Sequence, residues 1–367
     1  MNIGIITFHR AENYGAVLQA YALQEFISDN FKNSDVKIID YRSVPIESAY
    51  SYRKLILSGN PIKILAKILL RGPRVYRTKR NFKEFVNKRL VISETFNSEN
   101  IETAKNEFDC IVAGSDQIFN LAMTNHDMGY FLQGEKHSRN NNSCSVISYA
   151  ASTGTIPSDE AYQSELLNLL KSFDGLSFRE KSSYDWCTRH GLRCQVNADP
   201  VMLLDEEKWS ELAKKSRVKP YVLYFCVQSI ENEMKTLEFA KKKASELECE
   251  LCFLSIYGSI HDKEIQRLQS TKPEEFLGLI KNAECVVTDS FHASVFSIIF
   301  HKNFFVETNI KNNARILDLL DLTGLSCLSM KNGIVMNPEK KIDWKSIDTI
   351  LEEKRKETYD YFREYIQ

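Results

Sequence analysis

The sequence predicts an α/β protein built from two Rossmann-like domains with largely parallel sheets. Short apolar runs alternate with helically spaced patterns along the chain. The 367 residues exceed what one hydrophobic core usually fills, since domains run to about 100–200 residues. The strand–helix alternation also stops in a charged stretch near residues 214–220 and then restarts.

Taken in order, residues 3–7 form a first strand, residues 14–27 a helix by the spacing of their apolar positions, and residues 36–39 a second strand. Residues 108–113, 146–150 and 175–178 supply a third, fourth and fifth strand, and 197–205 leave the sheet as a loop. Past the charged stretch, strands are expected at 221–227, 250–254, 285–288 and 304–307, with helices at 233–247, 273–280 and 292–300. The expected domains are 1–210 and 211–342. A long polar-rich helix over 343–367 then returns to the first domain.

Composition narrows the function. With 43% hydrophobic and 26% charged residues the chain is globular, and a formal charge of −1 provides no global field for nucleic acid. The cysteines, at 110, 144, 187, 194, 226, 249, 252, 285 and 327, are odd in number and form no paired framework. A reducing cytoplasm is the simplest reading. The single CxxC at Cys249 and Cys252 has no second pair, so no metal site is expected. The N-terminus lacks a signal peptide's basic region, and no apolar run approaches the roughly 20 residues a membrane span needs. Residues 46–90 stand apart as a basic helical insertion. Within 52–90 there are twelve Lys or Arg against one acid, Glu84, interleaved with Leu and Ile. Such a segment either solvates one helix face or docks at an anionic membrane surface, on the inner face of the membrane.

In open parallel sheets ligands bind beyond the carboxyl ends of the strands, so the residues following each strand carry the chemistry. After the first strand come Asn13, Tyr14 and Gly15, where Asn13 caps a helix or helps its N-terminus hold an anion. After the third come Gly114, Ser115, Asp116, Gln117 and Asn120. Asp116 is suited to accept a proton from a sugar hydroxyl, with Gln117 and Asn120 reading the hydroxyl pattern. After the fourth, Ser152 sits in a small hydroxylic turn that cradles phosphate or simply permits a tight bend. Arg179 opens a helix after the fifth strand, where the dipole disfavours a cation. A grip on a carboxylate or phosphate, or a salt bridge, explains it. In the second domain Asp289 and Ser290 lead into a helix that opens with His292. An anion held there would keep this histidine protonated and competent as an acid.

At these residues the chain resembles the polysaccharide pyruvyltransferase family. The resemblance is carried by residues 13–23 (NYGAVLQAYAL), 114–120 (GSDQIFN), 149–154 (YAASTG), 177–180 (SFRE), 198–200 (ADP) and 288–292 (TDSFH), in the family's order. Ser290 stands where many members carry Arg, and Ala293 where Gly is common. The resemblance implies a fold like the GT-B glycosyltransferases, with two domains facing a cleft. It implies transfer of pyruvate from phosphoenolpyruvate to a sugar as a cyclic ketal, in capsule or exopolysaccharide biosynthesis. The acceptor would be a galactose-type residue, free or lipid-linked, and no cofactor beyond phosphoenolpyruvate as co-substrate is expected.

On this reading His292 and Asp116 are the catalytic acid and base, in either assignment. Arg179, Asn13, Ser152, Asp289 and Ser290 bind the donor, and Gln117, Asn120 and Tyr14 the acceptor. Two alternatives remain at the level of sequence. One is a GT-B glycosyltransferase using a nucleotide sugar. The other is a silent glycan-binding protein of an envelope-assembly complex.

Overall fold

The computed structural model describes residues 1–49, 61–133, 144–215, 219–227, 234–255, 262–309, 313–335 and 341–366, without the side chains of 49 and 61–71. The first part of the basic insertion, residues 50–60, thus lies outside the described residues. The chain forms two compact units. Unit 1 is Met1–Leu203 with Glu353–Gln367, and unit 2 is Leu204–Glu352. The division falls ahead of the expected 210/211 boundary because the short helix α7 (Glu206–Leu212) belongs to the second core. There Trp209 is fully buried, edge-on to Phe296 at 4.9 Å, and the Lys214 N–H donates to the Glu274 carbonyl.

Unit 1 is built on a five-stranded sheet of β1 (Asn2–Ile6), β2 (Asp35–Tyr41), β3 (Ile92–Phe96), β4 (Cys110–Gly114) and β5 (Ser145–Tyr149). All pairings are parallel and the order is β3-β2-β1-β4-β5. The strand order therefore reverses between β1 and β4, the place where a parallel sheet opens a crevice. The expected strand over 175–178 is shorter than predicted. Its last two residues are β6 (Ser177–Phe178), which forms a ladder with β7 (Gln195–Val196), while isolated bridges join Gly175 to Ile147 of β5 and Phe178 to Ala151 just past β5. Side chains take over the ladder here: Ser177 N–H donates to Ser148 Oγ, and Ala150 N–H to Ser177 Oγ.

Helix α1 (Tyr14–Asn30) follows β1 and is buried on most of its circumference. Two neighbouring helices account for part of that. Tyr14 and Tyr21 meet Phe82 and Phe85 of the basic helix, and Phe26 meets Phe362. The insertion contains α2 (Val44–Ala49) and the long α3 (Pro61–Arg89), whose last turns supply Phe82, Phe85 and Val86 to the core. Three further helices complete the order in unit 1: α4 (Leu121–Thr124), α5 (Glu160–Leu170) and α6 (Lys181–Arg189).

Unit 2 repeats the plan. Its sheet contains β8 (Tyr221–Cys226), β9 (Glu250–Ser255), β10 (Ile265–Leu268), β11 (Cys285–Thr288), β12 (Phe304–Glu307), β13 (Ser329–Lys331) and β14 (Ile334–Val335). The order is β10-β9-β8-β11-β12-β13-β14, parallel except for the final hairpin. The reversal between β8 and β11 matches the one between β1 and β4. The hairpin turns through Asn332 and Gly333, both at positive φ, as a two-residue loop between twisted strands requires. Buried Glu307 accepts the N–H groups of both residues and the Thr236 hydroxyl, which fixes the edge. Helices α8 (Met234–Glu246), α9 (Pro273–Lys281), α10 (Phe291–Ile299) and α11 (Ala314–Leu322) complete the unit.

The last helix, α12 (Trp344–Arg363), begins in unit 2, and from Glu353 it belongs to unit 1. It is polar overall, but Tyr361 and Phe362 are buried. Phe362 packs on Tyr149 at 4.9 Å, and the Tyr361 hydroxyl donates to the Ser148 carbonyl. Phe362→Ala is expected to destabilise unit 1 by about 3–5 kcal/mol, the usual loss for a buried Phe. The check is chemical denaturation followed by circular dichroism.

Candidate active site

In unit 1 the loops after β1, β4 and β5 meet at the strand-order reversal. Thr7, just past β1, donates its hydroxyl to the Ser115 carbonyl, just past β4. Ser115 and Asp116 take positive φ values of 34° and 59°, and Ala150, after β5, takes 46°. Residues with a Cβ hold this conformation at a cost of roughly 1–3 kcal/mol each, so it persists only where the surroundings fix it. The surroundings do so here. Ser115 N–H donates to the Tyr149 carbonyl, Ser152 N–H to the Asp116 carbonyl, and Phe119 N–H to the Ser152 carbonyl. Phe119 itself is fully buried, stacked on Phe131 and edge-on to Phe173.

The two loops are also locked by shape. Gly154 has φ +62°, and a Cβ there would lie 2.4 Å from Asn120 Nδ2 and 3.0 Å from Gln117 Oε1. Only a glycine lets the β5 loop close on this amide pair. Asn120 Nδ2 donates to Gln117 Oε1, while its own Oδ1 accepts the Met123 N–H and caps α4. Asp116 lies beside them, 8% exposed, with Oδ1 accepting the Gln117 N–H.

The structure gives several predicted site residues work within the fold. Asn13 Oδ1 accepts the N–H groups of Gly15 and Ala16 as the α1 cap. Tyr14 is buried against Phe82. Ser152 Oγ accepts the Gly154 N–H. Arg179 is buried and pairs with Asp199 at 2.6 Å, with the Glu180 carboxylate 3.5 Å from its Nε. Burial alone would favour discharging the guanidinium. The carboxylates of Glu180, Asp199 and Asp116 outweigh it and push its pKa up, so the charge stays. Asp199 also lies within 3.4 Å of the Ser115 hydroxyl, which can donate to it. The chain of Asp116, Arg179 and Asp199 therefore runs through loops that follow three different strands.

In unit 2 the equivalent reversal carries the other predicted set. Thr288 Oγ1 donates to the Phe225 carbonyl, and Asp289 Oδ1 accepts the Val227 N–H, tying β11 to β8. Ser290 caps α10 by accepting the Ala293 N–H. His292 follows in the first turn of α10, half-buried, its ring 5.2 Å from Phe291. The Arg315 guanidinium lies 5.8 Å from the Phe291 ring centre and places a cation beside this terminus.

Two residues with chemical weight received no role from the sequence. Asp199 stood only within the 198–200 (ADP) motif of the family resemblance. His9, 1% exposed, follows β1, its Nδ1 3.2 Å from the Thr7 carbonyl and its Nε2 3.1 Å from Asp40. Asp40, on the neighbouring strand, also accepts from Arg10, Arg42 and Thr95. Its burial raises the carboxyl pKa. The hydrogen bonds from His9, Arg42 and Thr95 outweigh that and hold it well below the usual carboxylate range. A histidine after a strand and an aspartate 31 residues on give no local pattern to find. Among the described residues, no group of three or more His, Cys, Asp or Glu could hold a metal ion.

Two doubly wound α/β units, each with polar residues at its strand-order reversal, define a GT-B-like protein. The chain belongs to the polysaccharide pyruvyl transferase family, a transferase family, whose profile matches residues 13–310. No curated protein matches the chain significantly by sequence. Among solved structures, the S. aureus MnaA–UDP co-structure is similar over 100% of this chain and 89% of its own, at 12% identity and TM-score 0.50. UDP-GlcNAc 2-epimerase from Methanocaldococcus jannaschii covers 96% and 92%, at 12% identity and TM-score 0.48. E. coli ADP-heptose lps heptosyltransferase II covers 96% and 99%, at 10% identity and TM-score 0.38. At 12% identity the likeness to the MnaA structure is one of fold alone.

Two outcomes follow from the buried charges. Arg179→Met leaves Asp199 buried without its cation and is expected to cost about 3–5 kcal/mol. Adding Asp199→Leu should recover most of the loss in urea denaturation. For Asp40, a carboxyl held low in the folded state stabilises the fold above its ordinary value near pH ~4. That contribution disappears as pH falls through the lower folded value. Asp40→Asn should therefore be less stable at neutral pH and lose less on acidification, measured as thermal midpoint from about pH 7 to about pH 3.

Proposed function

We propose that the chain transfers the pyruvyl group of phosphoenolpyruvate to two hydroxyls of one sugar residue, forming a cyclic ketal and releasing phosphate. The observation that carries this reading is the family match over residues 13–310, which contains the loops after β4, β5, β6, β8 and β11 described above and the Asn13 cap that follows β1. A galactose-type residue of a surface-polysaccharide precursor, capsular or exopolysaccharide, is the proposed acceptor.

The reaction balances with one acid and one base. His292 gives a proton to the methylene carbon of phosphoenolpyruvate, and C2 becomes the electrophile. Asp116 takes the proton of the first sugar hydroxyl as its oxygen bonds to C2. The C2–O bond to phosphate then breaks, and the second hydroxyl closes the ring. Of the two hydroxyl protons, one replaces that lost by the acid and the other leaves on phosphate. The acid and base assignments are interchangeable in this scheme.

The remaining roles adjust to the geometry. Gln117 and Asn120, joined to each other and positioned by Gly154, present amide groups beside Asp116 and suit an acceptor hydroxyl pattern. Arg179 was the expected donor clamp. Its buried pairing with Asp199 favours an indirect part, fixing the charge balance around Asp116. Asn13, Ser152, Asp289 and Ser290 shape the loops that receive the donor, and Ser290 leaves the α10 terminus without the Arg that many members of the family carry.

The test is phosphate release from phosphoenolpyruvate with a panel of β-galactosides and lipid-linked glycans, with mass spectrometry of the product. Release should require the acceptor, and the product should gain one pyruvate less one water. His292→Ala and Asp116→Asn should each lower turnover about 10²–10⁴-fold, the usual worth of a general acid or base. Unchanged turnover in His292→Ala removes it as the acid, and no release with any acceptor sinks the reading.

A further inference from the structure

The second half of α3 presents a face that neither the fold nor the proposed reaction uses. Over residues 73–89 there are seven Lys or Arg (74, 77, 79, 80, 83, 88 and 89) and one acid, Glu84, a net charge of 7 − 1 = +6. The whole chain carries −1, so everything outside this stretch sums to −7. The cations are therefore concentrated on one element of an otherwise acidic protein.

Helical spacing separates this stretch into two faces. Asn81, Phe82, Phe85 and Val86 are buried, with Phe82 and Phe85 against Tyr14 and Tyr21 of α1, while Arg77, Lys79, Arg80, Lys83 and Lys88 are exposed on the opposite side. Tyr76, 71% exposed, lies in the middle of the cationic face. Seventeen helical residues make a straight basic edge roughly 25 Å long. Of its cations, Arg80 is engaged by Glu84 at 2.7 Å, a pair that water screens.

We infer that this face of α3 docks the protein on an anionic lipid surface. A straight row of cations with one amphipathic ring among them matches a plane of anionic headgroups, where aromatic side chains settle at the interface. The apolar side of residues 73–89 is already committed to α1, so attachment by this face is by charge and does not require insertion. Two copies of this face repel one another. Single-stranded nucleic acid takes a series of exposed aromatic rings for stacking, and among the described residues of this face Tyr76 is alone. The inference stands apart from the transfer chemistry and survives its failure.

The experiment is co-sedimentation of the full chain with two sets of vesicles. One is phosphatidylcholine alone, and in the other a third of the lipid is phosphatidylglycerol. The protein should sediment with the anionic vesicles only, and lose that binding steeply as salt rises and the Debye length shrinks. Arg77→Gln with Lys79→Gln and Lys83→Gln should weaken binding about 10²-fold, near fivefold per cation, at an unchanged thermal midpoint. The charge-preserving set Arg77→Lys, Lys79→Arg and Lys83→Arg should bind as the parent does. Equal sedimentation with neutral and anionic vesicles overturns the inference, as does wild-type binding by the glutamine variant. Preference for single-stranded RNA over anionic vesicles at matched phosphate also overturns it, and assigns the face to nucleic acid.

Discussion

Each unit depends on one topological constraint, the reversal of strand order between two central parallel strands. Right-handed crossovers leave β1 and β4 on opposite faces of their sheet, and the same holds for β8 and β11. The chain therefore diverges where the strands end, and the backbone groups there lack the next strand to pair with. Side chains supply the partners. Thr7 reaches across to Ser115 in unit 1, and Thr288 and Asp289 reach across to β8 in unit 2. Two unrelated stretches of sequence meet the same need with the same kind of residue, a hydroxyl or carboxylate at the last position of the strand or the next one.

That constraint explains why the fold was more legible than the site. The central strands β1, β4, β8, β11 and β12 are buried on both faces and read as unbroken apolar runs. Edge strands other than β5 escaped notice, as did the short β13. β3 (ISETF) and β10 (IQRL) carry polar residues on their outer faces, and β13 and β14 are too short for any period to show. Helices such as α5 were hidden by their polar solvent faces. The strand over 175–178 survived only in part because serine side chains there replace ladder hydrogen bonds.

The candidate site was legible by position and less so by role. Scanning the residues after each strand found Asp116, Gln117, Asn120, Arg179 and His292. The same scan could not tell a residue that binds a ligand from one that closes a loop, because both need a polar side chain at a strand end. Asn13, Ser152, Asp289 and Ser290 hold the loops in shape. Asp199 and His9 escaped because their significance is a pairing across the fold, with Arg179 and with Asp40, that no local spacing encodes. Burying Arg179 among three carboxylates makes the region electrostatically stiff. Moving any one of these charges leaves the others without their counterpart in a poorly solvated setting.

The course of α12 bears on how the protein is made. Phe362 and Tyr361 complete the packing of unit 1, and their partners Tyr149 and Ser148 lie more than 200 residues earlier; Tyr361 and Ser148 are 213 apart. During synthesis the first unit emerges early but lacks its closing helix, whereas unit 2 is contiguous and can fold as it appears. Unit 1 must keep its β5 edge and the Tyr149 ring uncovered until α12 leaves the ribosome. The order of folding thus runs against the order of synthesis, and the N-terminal half is the part most in need of protection while it waits.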